Sequence, residues 1–120
     1  DENFDGQNDI RLIASCGTGP NCSFYHWIYN SSAKRFIRNK VLEKIVNPEF
    51  DKKTKQIFST WRSSLYSHGS STYKYMNGKP VLIHDFEVTH EEGQETTVER
   101  RRIRGKMKII SKKTEKIIDN

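Results

Sequence analysis

The dipeptide Asn77-Gly78 stands between two β-rich runs, Thr72-Tyr-Lys-Tyr-Met76 and Pro80-Val-Leu-Ile-His84. A two-residue loop that closes a twisted hairpin needs φ > 0 at both turn positions, and Asn and Gly adopt this at the least steric cost. The segment therefore predicts an antiparallel hairpin, and a hairpin constrains the register of whatever pairs on either side of it. The choice of apolar residues agrees. The chain has 12 Ile but only 4 Leu and 2 Ala. β-Branched and aromatic side chains favour strands, whereas Leu and Ala favour helices, so a helix bundle is excluded. Leu, Ile, Val and Phe together make up 27 of 120 residues, just above the level of a disordered chain, so the core must be thin.

Strands are expected at residues 10–15, 23–29, 55–62, 72–76, 80–90, 96–103 and 106–113. Between 36 and 45 the apolar spacing fits either a strand followed by one helical turn or a short amphipathic helix, ended by Asn47-Pro48. Residues 63–70 read as a Ser/Gly loop, and Glu91-Glu-Gly-Gln94 as a turn. The expected fold is a single all-β domain over 1–120. It is an antiparallel meander, curled or propeller-like, with at most one short helical turn near 41–46. No apolar run approaches the ~18 residues of a membrane span, so the chain reads as soluble. Its start at Asp1, without Met or a signal sequence, reads as a processed or trimmed form, and a lipid anchor upstream is compatible with that.

The first nine residues have the form D-x-N-x-D-G-x-x-D. Calcium takes six to eight oxygen ligands, and oxygens at alternate positions followed by a Gly wrap a chain around it. Asp1, Asn3, Asp5 and Asp9 offer side-chain oxygens and Gln7 its carbonyl, so a structural Ca2+ is expected here. The twelfth position, Glu in an EF-hand, is Leu12, so the loop is not an EF-hand. The competing reading is an Asx-rich turn without metal.

Cys16 and Cys22 bracket Gly-Thr-Gly-Pro-Asn, a flexible stretch that a disulfide can close. Two cysteines with nothing else to pair with point to an oxidising compartment, the alternative being free thiols in a cytosolic protein. The spacing does not suit zinc.

No G-x-S-x-G, H-E-x-x-H or phosphate-binding Gly loop is present, and the chain reads as non-enzymatic. His84 and His90 share a strand face, with Asp85 and Glu87 on the other, which weakens any acid–base dyad; a hydrolase using His68 or His84 is the minority reading. The stretch 62–73 mixes Arg62, Tyr66, His68, Ser70 and Tyr73 around Gly69, the composition of a recognition loop that can reach the carboxylates of a glycosidase cleft. The structural alternative has Arg62 bonding backbone carbonyls and Tyr73 packed in the sheet.

Charge is unevenly placed. Residues 1–95 carry 12 basic and 12 acidic side chains, whereas 96–120 carry 9 and 3, so the whole net charge of +6 lies at the C-terminal end. The stripe Arg100-Arg-Arg-Ile-Arg104-Gly-Lys106-Met-Lys108 suggests a nucleic-acid or polyanion partner. Against this, residues 96–120 contain no aromatic side chain, and the strand before them is rich in Asp and Glu. Cross-strand charge pairing is the preferred reading, with nucleic-acid binding as the alternative.

Several stretches taken together resemble bacterial periplasmic proteins with a calcium loop and a β-meander. These are Asn3-Phe-Asp5-Gly6 with Asp9-Ile10; Trp27-Ile-Tyr29-Asn with Arg35-Phe36; Asn47-Pro48-Glu-Phe50-Asp51; Ser59-Thr-Trp-Arg62; and His68-Gly69-Ser-Ser-Thr-Tyr73 running on to Leu82. Among such proteins are immunity proteins that protect against peptidoglycan-degrading effectors of secretion systems of the Xanthomonas type. The resemblance implies a propeller-like sheet in the periplasm, or otherwise secreted, that binds and blocks a lysozyme-like hydrolase.

Overall fold

The computed structural model describes residues 3–6, 9–16, 21–64 and 66–117. Its strands, in chain order, are β1 (Ile10–Cys16), β2 (Cys22–Asn30), β3 (Arg35–Arg38), β4 (Pro48–Asp51), β5 (Gln56–Ser64), β6 (Ser67–Met76), β7 (Lys79–Glu91), β8 (Gln94–Ile103) and β9 (Lys106–Lys116). Among the described residues a single 3-10 turn, Leu42–Lys44, lies between β3 and β4. Every pairing is antiparallel between sequence neighbours, so the fold is the expected all-β meander. The meander is divided into a three-stranded sheet, β1-β2-β3, and a six-stranded sheet, β4 to β9, neither of them closed into a barrel.

The hairpins joining β6 to β9 follow the logic of Asn77-Gly78. All three turn pairs have positive φ: Asn77 and Gly78 at 52° and 77°, Glu92 and Gly93 at 50° and 73°, Arg104 and Gly105 at 52° and 82°.

Residues 36–45 form a strand followed by one helical turn, and Asn47-Pro48 ends that segment as expected while also opening β4, where Pro sits at the first residue of an edge strand and forfeits no ladder bond to a second neighbour. One sequence expectation fails. Residues 63–70 are not a loop: β5 runs to Ser64 and β6 starts at Ser67, with Ser, Gly and Thr pairing in register. Ser and Gly look like a loop, yet here Ser67, Ser70 and Ser71 pair with Ser64, Thr60 and Ser59, and only the glycine between them faces a large residue. Gly69 pairs with Trp61, and a Cβ on Gly69 would meet Trp61 Cζ2 at 2.6 Å and crowd the Phe86 carbonyl. The indole lies over the glycine backbone, and its Nε1 donates to Ser71 Oγ (3.1 Å).

The core lies between the two sheets. Leu42, Ile45 and Ile57 are fully buried, with Phe4, Ile28, Phe50, Tyr73 and Tyr75 packed around them. His26 is buried beside it, its ring 6.2 Å from Phe24 and 6.3 Å from Phe50. Arg11 stacks its guanidinium 4.9 Å from the centre of the Phe24 ring, and Nη1 donates to the Pro48 carbonyl (3.3 Å).

Two asparagines join the sheets. The Cys22 amide donates to Asn47 Oδ1 and the Asn47 amide to the Cys22 carbonyl, both at 2.8 Å, and Asn47 Nδ2 donates to the Thr60 carbonyl (2.7 Å). Asn21 Oδ1 accepts from the Arg62 amide (2.9 Å), and its Nδ2 donates to the Arg62 carbonyl. The disulfide Cys16–Cys22 closes the β1–β2 hairpin, the two residues lying opposite each other in register.

Replacing Gly69 by Ala forces Trp61 off the sheet. The variant is expected to lose about 1–3 kcal/mol of stability, read as a lower urea midpoint with an unchanged slope.

Candidate functional site

The residues singled out for partner binding separate into two groups. Register places Arg62 directly opposite His68, and Ser70 opposite Thr60, all on the sheet face turned away from the core. Tyr66 occupies the turn between β5 and β6 and is 64% exposed. Tyr73 falls on the other face. It packs against the Leu42, Ile45 and Ile57 cluster, and burial, with the Asp85 carboxylate adding to it, raises its phenol above the ordinary tyrosine range. Tyr73 is a core residue, as the structural alternative held, because the side-chain period of two carries it inward when Arg62 and His68 point out.

The tip formed by Arg62, Tyr66 and His68 is held at its backbone. Asn21 clamps Arg62 from the three-stranded sheet, and the His90 amide donates to the Tyr66 carbonyl (2.7 Å) from β7. The His90 ring stands edge-on to His68 at 6.2 Å, and its Nε2 lies 3.2 Å from Glu95 Oε2. His90 and Glu95 therefore belong to this cluster, although the sequence reading treated His90 as an ordinary strand residue. The signal available was the β7–β8 turn at Glu92-Gly93, which pairs His90 with Glu95. The tip carries an exposed aromatic side chain, and the strands that form and flank it carry a guanidinium, two imidazoles and a carboxylate, which suits recognition of polar and carboxylate groups.

His84 stands apart from the tip, its Nε2 3.1 Å from Glu99 Oε1. On the opposite face Arg100 Nη1 reaches Asp85 Oδ1 at 3.0 Å and Glu87 Oε2 at 3.6 Å. These are the cross-strand pairs expected between the acidic and basic strands. Arg102 is committed to the backbone, donating to the Leu82 and Gly105 carbonyls at 2.6 and 2.8 Å.

Of the five calcium ligands read from the sequence, Asp1 and Gln7 lie outside the described residues. The other three are placed. Asn3 Nδ2 donates to Asp5 Oδ2 (3.0 Å), and Asp9 Oδ1 accepts from the Tyr29 amide (2.9 Å). Asn3 Oδ1 is buried and has no hydrogen-bond partner among the described residues. Among the described residues no three of His, Cys, Asp and Glu stand close enough to hold a metal ion. The turn itself is anchored by Phe4, whose ring lies 6.3 Å from Phe50 and 6.0 Å from Tyr75.

The chain is similar to a solved structure described as that of a Xanthomonas type IV secretion system related protein. The two share 24% sequence identity with a TM-score of 0.73 over 92% of this chain. That match takes in 56% of the other protein, so this chain spans little more than half its length. The likeness establishes a shared fold. No family model matches the chain, and no curated protein does.

Tyr73 is expected to make stability fall at alkaline pH. Its folded-state pKa lies above the unfolded value near ~10, so its contribution is complete below that pH and is lost as pH rises through the folded value. Urea unfolding between neutral and strongly alkaline pH should show this decline, and Tyr73→Phe should flatten it.

Proposed function

We propose that this protein is a secreted, non-enzymatic binding protein that inhibits a peptidoglycan-lytic, lysozyme-like enzyme and so serves as an immunity protein. The observation that carries the reading is the β5–β6 tip: Tyr66 stands exposed on a hairpin whose backbone is fixed from two sides by Asn21 and His90. A preorganised aromatic loses little freedom on binding, and Tyr and Arg dominate the energetics of interfaces. Arg62 and His68 flank it as cationic and hydrogen-bonding groups for the paired carboxylates of a glycosidase cleft. The disulfide fits an oxidising compartment, and the fold shared with a secretion-system-related protein supports a place in the envelope.

The test is a turbidity assay on peptidoglycan with the lysozyme-like activity of the producing cell's secreted fraction. Addition of the protein should abolish clearing at a fixed stoichiometry. Tyr66→Ala should weaken inhibition by at least ~30-fold, the scale of an interface hot spot, while melting as the parent does. Lytic activity unchanged at any excess of protein would end the inhibitor reading.

A calcium ion in the 1–9 loop belongs to the same proposal. Asn3 Oδ1, a buried carbonyl-type oxygen with no partner among the described residues, is the kind of donor such an ion takes, and the sequence offers Asp1, Asp5, Gln7 and Asp9 as the further ligands. Bound there, the ion would supply charge balance and rigidity to the turn that seats Phe4. Calcium is expected to raise the melting temperature and a chelator to lower it, and Asp5→Ala should abolish the difference; equal melting with and without calcium would remove the metal.

A further inference from the structure

Among the described residues β9 is the outer strand of the six-stranded sheet and pairs with β8 alone. Its backbone is pinned at the far end, where the Ile117 amide donates to the Gly93 carbonyl (2.8 Å). It carries Lys106, Lys108, Lys112, Lys113 and Lys116 against a single Glu115. Among the described residues, Lys113 is the one of these with a carboxylate in reach, Glu115 at 2.7 Å. The pairing inside the sheet leaves this charge uncompensated. Arg101 lies directly opposite Lys108, and like charges in that relation are destabilising.

The other side of β8 shows what the same chemistry accepts. There β7 presents Asp85 and Glu87 to Arg100, and the acidic strand neutralises the basic one. Lysines on an edge strand commonly guard against pairing with further copies, and here two β9 edges would set lysine against lysine. A purely protective edge has no use for Ile109 and Ile110, which are 59% and 41% exposed within it. An open ladder with lysines on both faces and apolar side chains between them matches a strand that alternates acidic and apolar residues. Nucleic acid fits less well, since residues 94–116 offer no aromatic ring for a base to stack on.

We infer that the outer edge of β9 is a docking site for an acidic extended segment of a partner protein, which adds to the sheet as a further antiparallel strand. This surface is separate from the β5–β6 tip, and its function does not depend on inhibition of a hydrolase.

The probe is a fluorescent peptide with the sequence of residues 83–91, Ile-His-Asp-Phe-Glu-Val-Thr-His-Glu, the strand that β8 already accepts. Anisotropy should report saturable binding, and amide hydrogen exchange should slow along residues 106–116. A peptide with its three carboxylates replaced by lysine should not bind. The double variant Lys112→Glu/Lys113→Glu should bind about tenfold more weakly or worse. The exchange measurement on the unaltered protein stands even if that variant misfolds. Three results would overturn the proposal: no saturable binding, binding without slowed exchange on β9, or a single-stranded oligonucleotide competing as effectively as the acidic peptide. A dimer in sedimentation with β9 amides protected in the absence of peptide would assign the edge to a second copy instead, and would overturn it as well.

Discussion

Asn47 does the work that a continuous sheet would otherwise do. Where β2 and the β4–β5 hairpin meet, the backbone groups of Cys22 and Thr60 face across a seam between sheets, and a buried polar group left unpaired there would cost about 1–3 kcal/mol. One residue supplies a main-chain donor, a side-chain acceptor and a side-chain donor to that seam. It does so from φ = 46°, a conformation that asparagine tolerates better than most side chains. The Leu42–Ile45 segment is thereby set against Ile57, with the Ser59 hydroxyl donating to the Val46 carbonyl behind it. Asn21 repeats the device at Arg62 and so carries the same constraint to the β5–β6 tip.

The parts of the fold written in local chemistry were legible. Asn77-Gly78 announces its hairpin, the β-branched composition announces strands, and Cys16 and Cys22 announce their bridge. The alternation of acidic and basic strands anticipates Arg100 with Asp85 and Glu87. What escaped was non-local. Nothing near Asn47 distinguishes a sheet-joining asparagine from the ordinary Asn-Pro that ends an element. Residues 63–70 read as loop because Ser and Gly are poor strand formers, and only Trp61, eight residues before Gly69, supplies the bulk that makes the glycine useful. The D-x-N-x-D-G-x-x-D pattern gives Phe4 no part, though it is the residue that ties the turn to Phe50 and Tyr75. In the candidate site, composition groups Arg62, Tyr66, His68 and Tyr73 without separating the two sheet faces, so it cannot choose between Tyr73 at the tip and Tyr73 packed in the sheet, and His90 joins the others only because β6 lies beside β7.

The charges show a division of labour along the six-stranded sheet. Near the core, acid and base meet on partly buried positions, as at Arg100 and Asp85, where both side chains are largely shielded. Pairs of this kind fix register, because a slip of one residue would send each charge to the opposite face. Further out on β9 the lysines are solvated and set no register of their own. The net charge of the chain therefore measures the outermost strand rather than the molecule, and its basic character cannot be averaged into a general affinity for polyanions.

A core of so few buried apolar side chains leaves most of each sheet in water, which shapes how such a protein can bind anything. A fold with deep pockets needs thick walls; here the walls are single sheets, and the features that stand out are a tip and an edge. At the tip, rigidity comes from clamps on the backbone of Arg62 and Tyr66, so the exposed phenol can be presented without a surrounding pocket. At the edge, rigidity comes from ladder bonds and from tight turns with positive φ, so the main chain of β9 is itself the ordered surface. Recognition by a tip depends on the few side chains at its end, whereas recognition by an edge tolerates many sequences of the right charge and alternation. The two surfaces therefore differ in kind, the first suited to one cognate cleft and the second to a class of acidic strands, and each follows from how little of this chain is available to bury.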